Sequence, residues 1–188
     1  MGQAKTLTQA EVKLILGSIA LGKHAARNRA MFFVTTLAGL RVGEVAALRY
    51  GDVVDDAGRV KFEFRLLPDM TKGNYARTVF VSERLQRELQ VYVDGRTWAN
   101  SATPLFYTQK RAGFSANTLA QVFMSIYRDA GVKGASSHSG RRSFITNLAN
   151  KGIGVRLLAS LAGHKNVSVT IRYIDCNDDM KRNAVNLA

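Results

Sequence analysis

Residues 137–175 gather an arginine, two histidines and a tyrosine within a short stretch: His138, Arg141, His164 and Tyr173. His138 and Arg141 are three apart, so on a helix they share a face. A guanidinium presents a rigid fork of donors suited to phosphate. An imidazole exchanges a proton near neutral pH, and a phenol oxygen can act as a covalent nucleophile. Together these groups could bind a phosphodiester, move a proton and attack phosphorus. Each also has a plainer reading: an ordinary basic helix, a solvated loop histidine, a tyrosine at a core edge.

Two cations elsewhere strengthen the chemical reading. Arg41 follows a glycine break in Ala38-Gly39-Leu40-Arg41-Val42-Gly43-Glu44 and is flanked by apolar residues. Cations in such places are rare without a partner, and Glu44, one turn on, is the local candidate. Lys72 lies at the tip of a turn-rich segment, residues 68–74.

Thr8 and Glu11 have capping-box spacing. They predict a helix carrying Val12, Leu14, Ile15 and Ile19 that ends near Gly22. A second helix is predicted over 25–37, with Met31-Phe32-Phe33-Val34 buried, and a short third over 41–48. Residues 59–65 alternate charged and apolar, the period-two pattern of a half-buried strand. Residues 76–81 predict a second strand and 53–54 a brief third. Helical periodicity returns at Ser82 with Leu85, Leu89 and Tyr92, and again from 115 or 117 to about 129. Three helices are predicted after that, over about 138–150, 155–161 and 169–177. Ser168 would cap the last, which carries Tyr173. A tail from about 177 to 188 has room for a short helix near 180–185. The expected fold class is mainly α (α+β): a single helical domain over 1–188 with a small three-stranded antiparallel sheet inserted after the third helix.

A hydrophobic share of 46% supports a packed core rather than a disordered chain. The net charge of +13 points to a polyanionic partner, nucleic acid above all. A membrane surface fits less well, since there is no long basic amphipathic helix and no apolar run of spanning length. The first ten residues lack the apolar segment of a secretory leader. Gly2 with Thr6 fits an N-myristoylation pattern and Asn166-Val167-Ser168 a glycosylation sequon, but both patterns are short and recur by chance. The single cysteine, Cys176, excludes an intramolecular disulfide and suits a reducing compartment. No phosphate-binding GxxxxGK[ST] loop and no acidic cluster with metal spacing occurs.

Taken in order, the motifs resemble the catalytic domain of the tyrosine recombinases, the phage-integrase family of DNA strand-exchange enzymes. The family's first arginine motif is similar to residues 37–48, with Arg41 as its arginine and Glu44 as the acidic residue that follows. Its hairpin lysine matches Lys72 in Thr71-Lys72-Gly73. Its His-x-x-Arg motif matches His138-Ser139-Gly140-Arg141, and its Leu-Gly-His element matches Leu161-Ala162-Gly163-His164. Its tyrosine matches Tyr173 in Thr170-Ile171-Arg172-Tyr173. The resemblance spans residues 8–177.

It implies a site-specific recombinase in which Arg41 and Arg141 hold the scissile phosphate and Tyr173 forms a 3′-phosphotyrosine. His138 would accept the phenol proton, Lys72 would protonate the departing 5′-oxygen, and His164 would hydrogen-bond the phosphate. Glu44 would orient its neighbours. Basic residues flanking these motifs, Arg77, Arg142, Lys165 and Arg172, are expected to contact DNA. The covalent bond conserves the phosphodiester energy, so no nucleotide or metal cofactor is expected. The implied partners are double-stranded DNA recombination sites and three further copies of the chain, with the C-terminal tail docking on a neighbouring subunit. The implied setting is a cytoplasmic, DNA-associated protein of a bacterium, archaeon, phage or mobile element. The family's usual N-terminal core-binding domain is expected to be absent, the chain being a short member or a fragment. Two alternatives remain at this stage: a type IB topoisomerase-like nicking-closing enzyme, and a basic DNA-binding module without catalysis. The complete residue set argues against the latter.

Overall fold

In the computed structural model, which describes residues 4–71, 73–96, 100–174 and 178–186, Thr8 caps the first helix as expected. Its hydroxyl accepts from the Glu11 N–H at 3.2 Å, and its own N–H donates to the Glu11 carboxylate at 2.9 Å. The helix so started, α1 (Gln9–Ala20), lays Ile15 and Ile19 against α2 (Ala25–Leu37). α2 is the central element. It buries every residue from Ala30 to Thr35, which requires cover on all sides. That cover comes from α1, from α5 (Glu83–Asp94) and from α7 (Ser139–Asn150). Gly140 makes the last contact possible, because a Cβ there would overlap Thr35 Oγ1 and push the two helices apart.

Between α2 and α5 lie α3 (Val42–Ala47), the one-turn α4 (Tyr50–Val53) and an antiparallel hairpin, β1 (Glu63–Leu66) and β2 (Arg77–Phe80). Among the described residues the sheet has two strands rather than the expected three. Asp52 accepts from the Arg49 N–H at 2.8 Å and starts the turn of α4, which takes Val53 into a helix. Asp55 then accepts from the N–H groups of Ala57 and Arg59, curling the chain so that Val54 makes only an isolated bridge to Val60. The hairpin register pairs Leu66 with Arg77 and Phe64 with Val79, so Arg77 and Val79 share the inward face.

α6 (Ala116–Asp129) is capped by Ser115 and buries Leu119, Phe123, Ile126 and Tyr127, packing on α3. After α7 come α8 (Val155–Ala162), α9 (Val167–Ile171) and α10 (Asp178–Val185). The helix expected over 169–177 is displaced. Its cap is Asn166, whose side chain accepts from the Ser168 N–H at 2.8 Å, and it stops at Ile171. Four of the five residues of α9 are β-branched, and such residues propagate helix weakly. Tyr173 therefore stands in a turn beyond the helix, with its N–H bonded to the Thr170 carbonyl at 2.9 Å.

Candidate active site

The C-terminal end of α8 is where the distant parts of the site meet. A helix leaves its last carbonyls without intrahelical donors, and they carry the negative end of the helix dipole. Here three guanidiniums satisfy three successive carbonyls. Arg77 Nη1 donates to Leu161 at 3.0 Å, Arg141 Nη2 to Ala162 at 2.6 Å, and Arg41 Nη2 to Gly163 at 3.5 Å. The Tyr75 hydroxyl, from the hairpin, also donates to Gly163. Gly163 adopts φ +64, and a Cβ on it would overlap the Arg77 side chain, so the approach depends on glycine twice over.

Glu44 binds two of these cations. Its carboxylate sits 2.8 Å from Arg41 Nη1 and 2.8 Å from Arg77 Nη2, and accepts from the Arg41 N–H at 2.8 Å. Burial alone would raise the Glu44 carboxyl. The Arg77 and Arg41 charges and the backbone N–H outweigh it, and its pKa lies below the ordinary carboxylate value. The local partner suggested for Arg41 is therefore real, but it is shared. Arg77, expected to touch DNA, does not reach outward: hairpin register turns it inward, and it is only 9% exposed. Counting Arg41, Arg77 and Arg141 against the single carboxylate leaves this cluster positive, as an anion-binding site must be.

Arg141 is buried and also donates to the Gly39 carbonyl at 2.6 Å and to His164 Nε2 at 2.8 Å. Arginine can only donate, so His164 Nε2 accepts, and the neutral ring carries its hydrogen on Nδ1, facing Thr170 Oγ1 at 2.8 Å. Burial, followed by the Arg141, Arg41 and Arg77 charges, pushes the His164 pKa down to about 4. The unfolded imidazole titrates near 6.5 and so binds more protons than the folded one as pH falls from there. His164 therefore contributes stability fully present above about pH 6.5 and lost as pH drops through about 4. Urea unfolding from about pH 7 to about pH 4 should give a shallower pH dependence for His164→Gln than for the unsubstituted chain. Equal slopes would remove His164 from the account.

Tyr173 joins the cluster through its ring, stacked on His164 with centroids 5.7 Å apart and an interplanar angle of 22°. Its carbonyl accepts from Thr146 Oγ1 at 3.2 Å. Arg142, expected on the DNA backbone, is instead 9% exposed, with its guanidinium carbon 5.4 Å from the centre of the Tyr173 ring.

The remaining residues are less central. His138 stands at the N-cap of α7, exposed, one turn before Arg141. Lys165 is exposed with its ammonium 4.7 Å from the Tyr75 ring, and Arg172 is exposed just before Tyr173. Lys72 lies outside the described residues. Sequence reasoning missed Thr170 and Tyr75. Thr170 is fully buried, three residues before Tyr173, and that spacing was the available signal.

The profile of the phage integrase family matches residues 5–180. The chain belongs to that family. Among its relatives, tyrosine recombinase XerD of Pseudomonas putida is 32% identical over 175 residues, covering 90% of this chain and 56% of the relative. Tyrosine recombinase XerA of Pyrococcus furiosus is 29% identical over 172 residues, covering 90% and 56%. The chain spans about half the length of these curated relatives. The crystal structure of XerA recombinase superposes on all of this chain and 66% of that one, with a TM-score of 0.78 at 24% identity. The Tn1549 transposon integrase in complex with a circular intermediate DNA gives 0.78 at 20% identity, covering 100% and 67%. At these identities the solved structures establish a shared catalytic-domain fold. Among the described residues no helix is long and apolar enough to cross a membrane.

Proposed function

We propose that this chain cuts and rejoins DNA at specific sites, with Tyr173 as nucleophile. The observation that carries the reading is the phenol ring stacked on His164, itself bonded to the buried Arg141. A phosphodiester drawn to the arginines gathered at the C-terminal end of α8 lies beside the Tyr173 ring. The phenol oxygen bonds to phosphorus as the bond to the 5′-oxygen breaks, leaving a 3′-phosphotyrosine. The phenol proton passes to His138 and the departing 5′-oxygen takes one from Lys72. Arg41 and Arg141 offset charge on the non-bridging oxygens. A phosphate near His164 favours its protonated ring, converting Nε2 from acceptor to donor. Reversal, with a 5′-hydroxyl from a second duplex, rejoins strands without a nucleotide. Lys165 and Arg172, both exposed, contact the DNA backbone. Four copies act on two duplex sites, with α10 reaching a neighbouring copy, in the cytoplasm. The relatives named tyrosine recombinase support the class.

The test uses a pool of nicked duplexes randomised at the cleavage position. The chain should yield a detergent-resistant covalent adduct, with the nucleotide on Tyr173, and Tyr173→Phe should yield none. An adduct that survives Tyr173→Phe rejects the nucleophile. Exchange of label between two recovered duplexes separates recombination from simple nicking and closing.

A further inference from the structure

Three successive residues ahead of α1 are each bonded to the far half of the chain. Lys5 Nζ donates to the Lys133 carbonyl at 3.2 Å. Thr6 Oγ1 accepts from Arg142 Nε at 3.2 Å, and the Leu7 N–H donates to Ser143 Oγ at 2.7 Å. Leu7 is buried, and Ser143 is in turn tied back to the Ser139 carbonyl at 2.8 Å. The segment leading into α1 is thus a strap across the face of α7. Its middle bond falls on the residue whose guanidinium lies over the Tyr173 ring.

Tyr173 needs such support. It stands beyond a five-residue helix, and backbone bonds at Thr170 and Thr146 fix its main chain without fixing the direction of its phenol. His164 supplies one contact to the ring and Arg142 another, the latter within the roughly 6 Å over which a cation is attracted to an aromatic face. Arg142 can hold the ring only if it is itself held. At 9% exposure, with Nε bonded to Thr6, its guanidinium is held against the protein rather than extended into solvent.

We propose that Arg142 is a positioning residue for the nucleophile and that the strap, through Thr6, sets where Arg142 stands. The lead-in to the first helix thereby governs the aim of a side chain near the other end of the domain. The proposal rests on the reading of Tyr173 as nucleophile.

The test uses the full chain with Arg142→Gln, Arg142→Lys, Thr6→Val and the Arg142→Gln/Thr6→Val pair. At saturating nicked-duplex pool, Arg142→Gln should slow adduct formation about tenfold while its Kd for the pool stays within about twofold. Arg142→Lys should recover part of the rate, since an ammonium retains attraction to the ring. Thr6→Val should slow the reaction by about twofold to threefold, and the pair should be no slower than Arg142→Gln alone, because both act through one contact. Without DNA, the Tyr173 ring resonance, assigned with Tyr173→Phe, should move in both Arg142→Gln and Thr6→Val. Weaker DNA binding with an intact rate per bound complex would make Arg142 a backbone contact and overturn the proposal. Independent, multiplying effects of the two substitutions, or an unmoved ring resonance, would do the same. If the unsubstituted chain forms no adduct, the nucleophile reading fails, while the ring resonance still decides whether Arg142 and Thr6 hold Tyr173.

Discussion

Glu44→Ala is expected to lower unfolding stability by roughly 3–5 kcal/mol, the usual cost of removing one partner from a buried ion pair. The side chain is 1% exposed and faces two guanidiniums, on the buried side chain of Arg77 and on that of Arg41, which is 27% exposed. Its removal strands a buried cation and leaves the N–H of Arg41, the residue that caps α3, without its acceptor. Against a typical total of about 5–15 kcal/mol, the loss is large enough to read directly in urea melts. Arg77 and Arg41 would then repel Arg141 with no carboxylate between them, so the anion site should loosen along with the fold. Glu44→Gln keeps the acceptor for the Arg41 N–H but not the charge, and should fall between the two. A change below about 1 kcal/mol for Glu44→Ala would show that solvent or a neighbouring group already satisfies Arg77.

Arg141→Lys is expected to slow cleavage by roughly 10²–10³-fold, the range seen on losing a donor to a developing oxyanion. Duplex affinity should fall far less. The guanidinium ties together the Gly39 carbonyl, the Ala162 carbonyl and His164 Nε2, which come from three parts of the chain. A single ammonium cannot span these positions and also present a flat pair of donors to phosphate. Affinity depends on many phosphate contacts summed over a basic surface, so one charge replaced by another changes it little. Single-turnover cleavage at saturating duplex, with Kd measured at the same salt, checks this. Lost affinity with unimpaired cleavage per bound complex would contradict the role assigned to Arg141.

Much of this arrangement was legible in residue order. The Thr8–Glu11 cap, the apolar run of α2 and the alternation that makes β1 are local signals, and each produced its element. The carboxylate for Arg41 was visible three residues on. The inward face of Arg77 was also readable in principle, since it shares strand parity with Val79 and Val81, both buried. Reading it as a DNA contact took its charge as decisive over its register, and a shift of one residue exchanges the faces of a strand. The third strand failed because two aspartates next to 53–54 prefer turns closed by their own side chains. Neither the partnership of Arg142 with Thr6 nor that of Arg77 with Leu161 leaves a local trace. Such contacts exist only once the chain has closed on itself.

The three arginine-to-carbonyl bonds at the end of α8 link residues 122, 84 and 21 positions apart. Each requires the entropic cost of closing a loop, which grows slowly with loop length. The positive site therefore exists only in the closed fold, never in a segment of the chain taken alone. Until α3, the hairpin and α7 have all docked, the arginines are scattered and nothing aims a phosphate at Tyr173. An incompletely folded copy carries the same net charge of +13 without this cluster.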